Sequence, residues 1–181
     1  MTKKILLAVS GSISAYKAAD LSSRFTKLKF DVSVVMTKAA TDFITPLTLQ
    51  VLSKNPVSLD TMTEKDPAVI NHIELAKQAD LFLLAPASAN TIAHLAHGFA
   101  DNIVTSVALA LPSKTPKLFA PAMNTQMYDH PITQENIAKL KRIGYEEIEP
   151  RESLLACGDL GRGALADLDK IIQRAEKLLG F

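Results

Sequence analysis

The one cysteine, Cys157, lies in the run Leu155-Ala-Cys-Gly-Asp159. A lone cysteine is usually a small buried hydrophobe. Beside a glycine in an irregular stretch, its thiol is also a candidate proton donor. His72, in Asn71-His-Ile-Glu-Leu75, could move a proton near neutral pH, or could be an ordinary satisfied surface or core histidine. Gly11-Ser-Ile-Ser14 follows an apolar run and opens a helical stretch. Backbone N–H groups there, with the hydroxyls of Ser12 and Ser14, could hold a phosphate monoester at the positive end of a helix dipole. A tight turn with a serine cap is the equal alternative. The run is neither G-x-G-x-x-G nor G-x-x-x-x-G-K-S/T, so dinucleotide and NTP binding are poor readings. Ser88, Asn90 and Thr91 in Pro86-Ala-Ser-Ala-Asn-Thr91 could hydrogen-bond the polar edge of a flat isoalloxazine ring lying against Ala87 and Ala89, or Ser88 or Asn90 could simply cap the next helix. His94 and His97 have metal-ligand spacing, with Asp101 near in sequence, but no convincing ligand set completes them, so no metal is expected.

These groups need a scaffold, and short apolar runs alternating with amphipathic stretches provide one. Strands are expected at 5–9, 32–36, 81–85 and 117–120, nearly all apolar as buried parallel strands should be, with an edge strand at 145–148. Helices are expected at 15–29, 46–52, 69–78, 89–96, 103–111 and 132–143, with Asp167 capping a closing helix to about residue 179. The basic residues of the first helix, including Lys17, read as a solvated face. Residues 150–163, carrying Pro150, Gly158 and Gly161, read as an irregular loop. The expected fold is a single α/β domain over residues 1–181, Rossmann-like and doubly wound, with a mostly parallel sheet and helices on both faces. In such folds ligands bind beyond the carboxyl ends of the strands. The loops there are 10–14, 37–41, 86–91 and 121–124, all small or polar.

The composition narrows the partners. Twenty basic and nineteen acidic residues give a net charge of +1 with no polybasic block, which argues against nucleic acid and anionic membranes. One cysteine allows no intrachain disulfide, and no apolar stretch approaches the roughly 18 residues of a membrane span, so a soluble cytoplasmic protein is expected.

Taken together and in order, the motifs resemble one family, the homo-oligomeric flavin-containing cysteine decarboxylases. The matching segments are Gly11-Ser-Ile-Ser-Ala-Tyr-Lys17, His72-Ile-Glu-Leu-Ala76, Ala79-Asp80, Ala85-Pro-Ala-Ser-Ala-Asn-Thr91, Gly98-Phe-Ala-Asp-Asn102, Pro121-Ala-Met-Asn-Thr-Gln-Met-Tyr128 and Leu155-Ala-Cys-Gly158. The Pro121–Tyr128 run and the later Ala-Cys-Gly are the specific ones. Two departures stand out. Tyr128 occupies a position where the family usually has tryptophan, and Gly161-Arg162-Gly163 is followed by Ala164 where a further arginine is expected.

The resemblance implies FMN as cofactor, held by Gly11, Ser12, Ser14, Thr37, Phe43, Ser88, Asn90, Thr91 and Ser106. It implies Asn124, Met123, Ala122 and Arg162 as substrate contacts, Asn124 taking the carboxylate and Arg162 standing in for the absent arginine. His72 becomes the acid–base residue near the thiol and Cys157 the final proton donor, with 150–163 a lid over the substrate. The implied reaction converts phosphopantothenoylcysteine to phosphopantetheine in coenzyme A biosynthesis, through thioaldehyde and enethiolate intermediates. A peptidyl-cysteine substrate or a non-catalytic flavin-binding regulatory role is the alternative. The implied assembly is a homotrimer or homododecamer with the flavin at a subunit interface and the histidine from a neighbour. The chain stops where a fused synthetase domain begins in bifunctional relatives, implying a monofunctional form.

Overall fold

The computed structural model describes residues 2–63, 69–155, 158 and 160–181. The chain runs β1 (Lys4–Val9), a 3-10 turn (Ile13–Tyr16), α1 (Lys17–Lys27), β2 (Asp31–Met36), a second 3-10 turn (Lys38–Asp42), α2 (Pro46–Ser53) and β3 (Val57–Ser58). It continues through α3 (Asn71–Gln78), β4 (Leu81–Ala87), α4 (Ala89–His97), α5 (Ile103–Ala110), β5 (Lys117–Pro121), α6 (Thr125–Asp129) and α7 (Pro131–Arg142). It closes with β6 (Tyr145–Glu147), β7 (Arg151–Leu154), β8 (Leu160–Ala164) and α8 (Leu168–Leu179).

Among the described residues, six strands form a sheet of order β3-β2-β1-β4-β5-β6. Every neighbouring pair in it is parallel. Side chains alternate between two cores because a strand has a period of two. Ile5, Leu7 and Val9 of β1 face one layer with Leu21 and Phe25 of α1, Leu49 of α2 and Ile171 and Ile172 of α8. Leu6 and Ala8 face the other, with Ile92 of α4, Val104 and Val107 of α5 and Ile137 of α7. Burial on both faces explains why β4 is buried at all seven positions and reads as a continuous apolar run.

Local chemistry sets the helix ends. Thr45 caps α2 with Pro46 in its first turn. Gly98 closes α4 in the left-handed region at φ 72°. Asn102 opens α5 with a capping box, its side chain accepting from Val104 N and Thr105 N while Thr105 Oγ1 accepts from Asn102 N.

The structure departs from the sequence expectations in several places, with β3, the Lys38–Asp42 turn and α6 as unexpected elements. The first helix starts with a 3-10 turn at Ile13 before α1 proper. Val69 and Ile70 lie before α3. Asp167 stands at the α8 N-terminus without a side-chain cap, and its carboxylate reaches Arg151 at 3.6 Å instead. The stretch expected to be an irregular loop contains the antiparallel hairpin β7–β8, with Leu154 opposite Leu160 and Arg151 opposite Ala164. No helix among the described residues is long and apolar enough to cross a membrane.

Candidate functional site

The sheet order reverses between β1 and β4, because α1 leaves on one face and α4 on the other. The loops leaving these strands therefore diverge, and a crevice opens at their carboxyl ends. Ladder pairing between the two strands extends to Ala8 opposite Leu84. Beyond it, the fully buried Ser10 spans the parting: its Oγ donates to the Pro86 carbonyl at 2.8 Å and accepts from the Ser88 N–H at 2.8 Å. Next, Gly11 lets the β2 loop close in, since a Cβ at Gly11 would sit 2.7 Å from Ala39 Cβ. Ser12 Oγ accepts from Ser14 N at 3.3 Å and donates to the Ala122 carbonyl at 3.2 Å, tying this turn to the loop after β5. Its hydroxyl is thus engaged within the chain.

The resulting cleft has a volume of about 770 Å³, within the range of small-molecule and cofactor sites. It brings together Gly11, Ser12, Ser14, Thr37, Ser88, Asn90, Thr91, Ala122, Met123 and Asn124 from the expected set. Ser88 caps α4: its Oγ accepts from Thr91 N at 3.3 Å and meets Thr91 Oγ1 at 3.1 Å. Thr37 caps the second 3-10 turn, its Oγ1 accepting from Ala40 N at 3.3 Å. Asn90 is exposed on the cleft wall. Asn124 caps α6 through Oδ1, which accepts from Gln126 N at 2.8 Å, so the carbonyl end of this amide is fixed by the backbone.

The hairpin forms one side of the cleft through Ser153, Leu154, Leu155, Ala164 and Leu165. Two glycines let it approach. A Cβ at Gly163, where φ is 152°, would lie 2.1 Å from the Met123 carbonyl oxygen, and one at Gly161 would lie 2.5 Å from Thr125 Oγ1. The gap is closed by a backbone bond from Met123 N–H to the Gly163 carbonyl at 2.9 Å.

Arg162, between those glycines, does not line the cleft. Its guanidinium lies 5.6 Å from the Tyr128 ring centroid and 3.5 Å from Asp129. Tyr128, which departs from the family pattern, is therefore in contact with the arginine expected to stand in for the one absent at Ala164. Tyr128 donates in turn to Glu147 at 2.8 Å; burial first, then Glu147, pushes the Tyr128 hydroxyl well above its usual range. Phe43 lies outside the cleft, as does Ser106, which donates to the Ala100 carbonyl at 3.2 Å. His72, on α3, also lies outside this chain's cleft, with its Nδ1 buried and without a partner among the described residues. Cys157 lies outside the described residues.

Several residues in or beside the cleft have roles that the sequence reading did not assign to them. Ser10 carries no motif of its own. His94 stacks on Phe99 with centroids 5.0 Å apart and pairs with Asp101 at 3.3 Å, whereas His97 bonds the Ala93 carbonyl at 2.9 Å. Reduced solvation raises the Asp101 carboxyl, but His94 and the surrounding hydrogen bonds outweigh it and leave the group below its usual range. Lys17, expected on a solvated face, lines the cleft together with Arg151. Burial and then the Arg151 charge lower Lys17, with Asp167 opposing.

A phosphorylated flavin fits these residues. Gly11 and Ala39 are small enough to bring two loops close, Ser14 lines the cleft at the start of the Ile13–Tyr16 turn, and Asn90 offers both a donor and an acceptor. Comparison with known proteins points to a flavin. Residues 1–180 match the family described as Flavoprotein. A probable phosphopantothenoylcysteine decarboxylase of Streptococcus mutans is 75% identical over 179 residues, covering 99% of this chain and all of that one. A bifunctional coenzyme A biosynthesis protein of Bacillus subtilis is 46% identical over 97% of this chain, which spans 43% of its length. Among solved structures, a PPC decarboxylase mutant complexed with pantothenoylaminoethenethiol matches with TM-score 0.89 and 32% identity, covering 100% of both chains. The FMN binding protein AtHal3 matches with TM-score 0.86 and 33% identity, covering 99% of this chain and 98% of its own. The chain belongs to the Flavoprotein family, beside relatives named as phosphopantothenoylcysteine decarboxylases.

Proposed function

We propose that this protein is an FMN-dependent decarboxylase that converts phosphopantothenoylcysteine to phosphopantetheine and carbon dioxide in coenzyme A biosynthesis. The observation that carries this reading is the convergence of the Gly11–Ser14 turn, Asn90 and Asn124 on one cleft at the strand-order reversal. The full-length identity with a protein named for this reaction supports it.

The carboxylate of a cysteine-derived substrate sits on a carbon without an electron sink, so direct loss of carbon dioxide would leave an unstabilised carbanion. FMN, when bound, would supply a reversible two-electron oxidant for the carbon bearing the thiol, so that no net oxidation results. The oxidised substrate, a thioaldehyde, then accepts the electron pair of the breaking C–C bond and becomes an enethiolate. In this scheme the Gly11–Ser14 turn binds the FMN phosphate and Asn90 the ring's polar edge. Asn124, held by its cap, orients the substrate carboxylate, with Met123 and Ala122 alongside.

His72 takes and returns the proton of the thiol, and Cys157 delivers the proton that completes the saturated product. Because His72 lies outside its own chain's cleft, it serves the cleft of a neighbouring subunit, in a homotrimer that builds a dodecamer. The β7–β8 hairpin acts as the lid that shields the enethiolate from water.

The test is incubation of the flavin-loaded protein with phosphopantothenoylcysteine and, separately, with a peptide ending in cysteine, with mass detection of carbon dioxide loss. Turnover of the former is expected. Turnover of the peptide alone, or a colourless protein that cannot be reconstituted with FMN, would overturn the proposal.

A further inference from the structure

Among the described residues lining the cleft, the basic side chains are Lys17, Lys38 and Arg151, and the carboxylate is Asp101, already engaged by His94 at 3.3 Å. The uncharged ring of a flavin calls for no such surplus of cations. Its phosphate is assigned to the Gly11–Ser14 turn. Lys17 begins α1, just past that turn, and Arg151 begins the hairpin, so they reach the cleft from two separate elements.

Lys17 makes no hydrogen bond or ion pair among the described residues and is half-buried. Arg151 is oriented by Asp167 at 3.6 Å, a carboxylate whose own side chain is 71% exposed. Burial and the neighbouring guanidinium both disfavour the charged Lys17. Two like charges lining one cleft, with one exposed carboxylate to offset them, form an arrangement that an incoming dianion would relieve.

We infer that Lys17 and Arg151 form the subsite for the phosphate monoester of the substrate and set its preference over unphosphorylated cysteine compounds. The inference rests on the decarboxylase reading and deepens it. A phosphate monoester carries about −1.5 to −2 charges near neutral pH, and its contact with a cation and a guanidinium fork is the strong, charge-assisted kind. The group is remote from the reacting carbons, so its binding energy is available to hold the thiol and carboxylate in place. A peptide ending in cysteine has no such group.

The test uses the flavin-loaded protein with phosphopantothenoylcysteine and its dephosphorylated form. Lys17→Met and Arg151→Met should each lower the ratio of the two kcat/KM values by about tenfold or more, whereas Lys17→Arg and Arg151→Lys should retain most of it. Flavin absorbance is read on every variant. An unchanged ratio, an equal loss on both substrates, or loss of flavin in place of discrimination would overturn the inference. Calorimetric binding of phosphopantetheine against pantetheine gives the same ratio without turnover. Tighter binding of the phosphorylated compound that depends on both cations, in a protein that turns over neither substrate, would support the subsite and sink the decarboxylase reading alone. Equal binding of the two compounds would sink the subsite.

Discussion

The Ser10 hydroxyl accepts the Ser88 N–H at 2.8 Å at the point where β1 and β4 part. Its proton goes to the Pro86 carbonyl, which the Ser10 N–H also reaches at 3.3 Å, so one buried side chain gives the Ser88 N–H its acceptor and reinforces the last backbone bond between the two strands. The walls of the cleft are held together by this contact, one residue before the Gly11–Ser14 turn. Ser10→Ala should cost about 1–3 kcal/mol, because a buried N–H loses its acceptor. Thermal unfolding of holo and apo protein checks this, along with the apparent flavin dissociation constant, which should rise. An unchanged melting temperature would show that the clamp contributes nothing.

Gly163→Ala should detach the hairpin. The new Cβ would fall 2.1 Å from the Met123 carbonyl oxygen, on a backbone at φ 152° that side chains rarely adopt. The strain of about 1–3 kcal/mol falls on β7–β8, which packs on the cleft edge, so the sheet should be largely spared. Limited proteolysis should accelerate within 151–164, and activity should drop while the main thermal transition moves little. Resistance to proteolysis equal to the parent would contradict this.

Asp80 gives a pH-dependent prediction. Burial raises its carboxyl, but the Lys4 N–H at 2.8 Å and the Lys3 ammonium at 3.0 Å prevail and hold it below its ordinary 3.8. A carboxyl depressed in the folded state contributes stability that is fully present above the unfolded value and is lost as pH falls through the folded one. Asp80→Asn should therefore destabilise by about 1 kcal/mol or less after solvent screening at neutral pH. The gap between variant and parent should close below pH 3.8. Urea titrations at several pH values measure it, and a gap independent of pH would refute the assignment.

Catalytic roles can be separated by product. Cys157→Ser should consume the substrate carboxylate yet release the oxidised, decarboxylated compound, with formation of saturated product down by roughly a hundredfold or more. Asn124→Asp should repel the carboxylate and abolish decarboxylation altogether. Mass spectrometry of the products distinguishes the two outcomes.

Subunit crossing is tested by mixing. His72→Gln and Asn124→Asp variants, each inactive alone, should regain activity when co-expressed, because some clefts then combine an intact His72 from one chain with an intact Asn124 from another. Co-assembled variants that stay inactive would place His72 in its own chain's site.

How much of this was legible beforehand follows from which interactions are local. The strands of the parallel sheet are apolar on both sides, and their helices repeat apolar residues at helical spacing, so the sequence by itself determined the α/β alternation and the loops at the strand ends. The capping roles of Ser88 and Thr37 were likewise within reach, since each cap bonds only three residues ahead.

Tertiary structure alone decided the rest. The hairpin hides behind Gly161 and Gly163, residues that weaken a strand in isolation and are required only because Thr125 and the Met123 carbonyl press against them. Lys17 has the look of a solvated helix face, because periodicity reports which side meets the core and says nothing of a distant Arg151 folded over the other side. Ser10 and Pro86 are 76 residues apart, and their bond exists only because β1 and β4 are neighbours. Local pattern therefore determined the elements and their loops, whereas contacts between distant segments decided which side chains share the cleft.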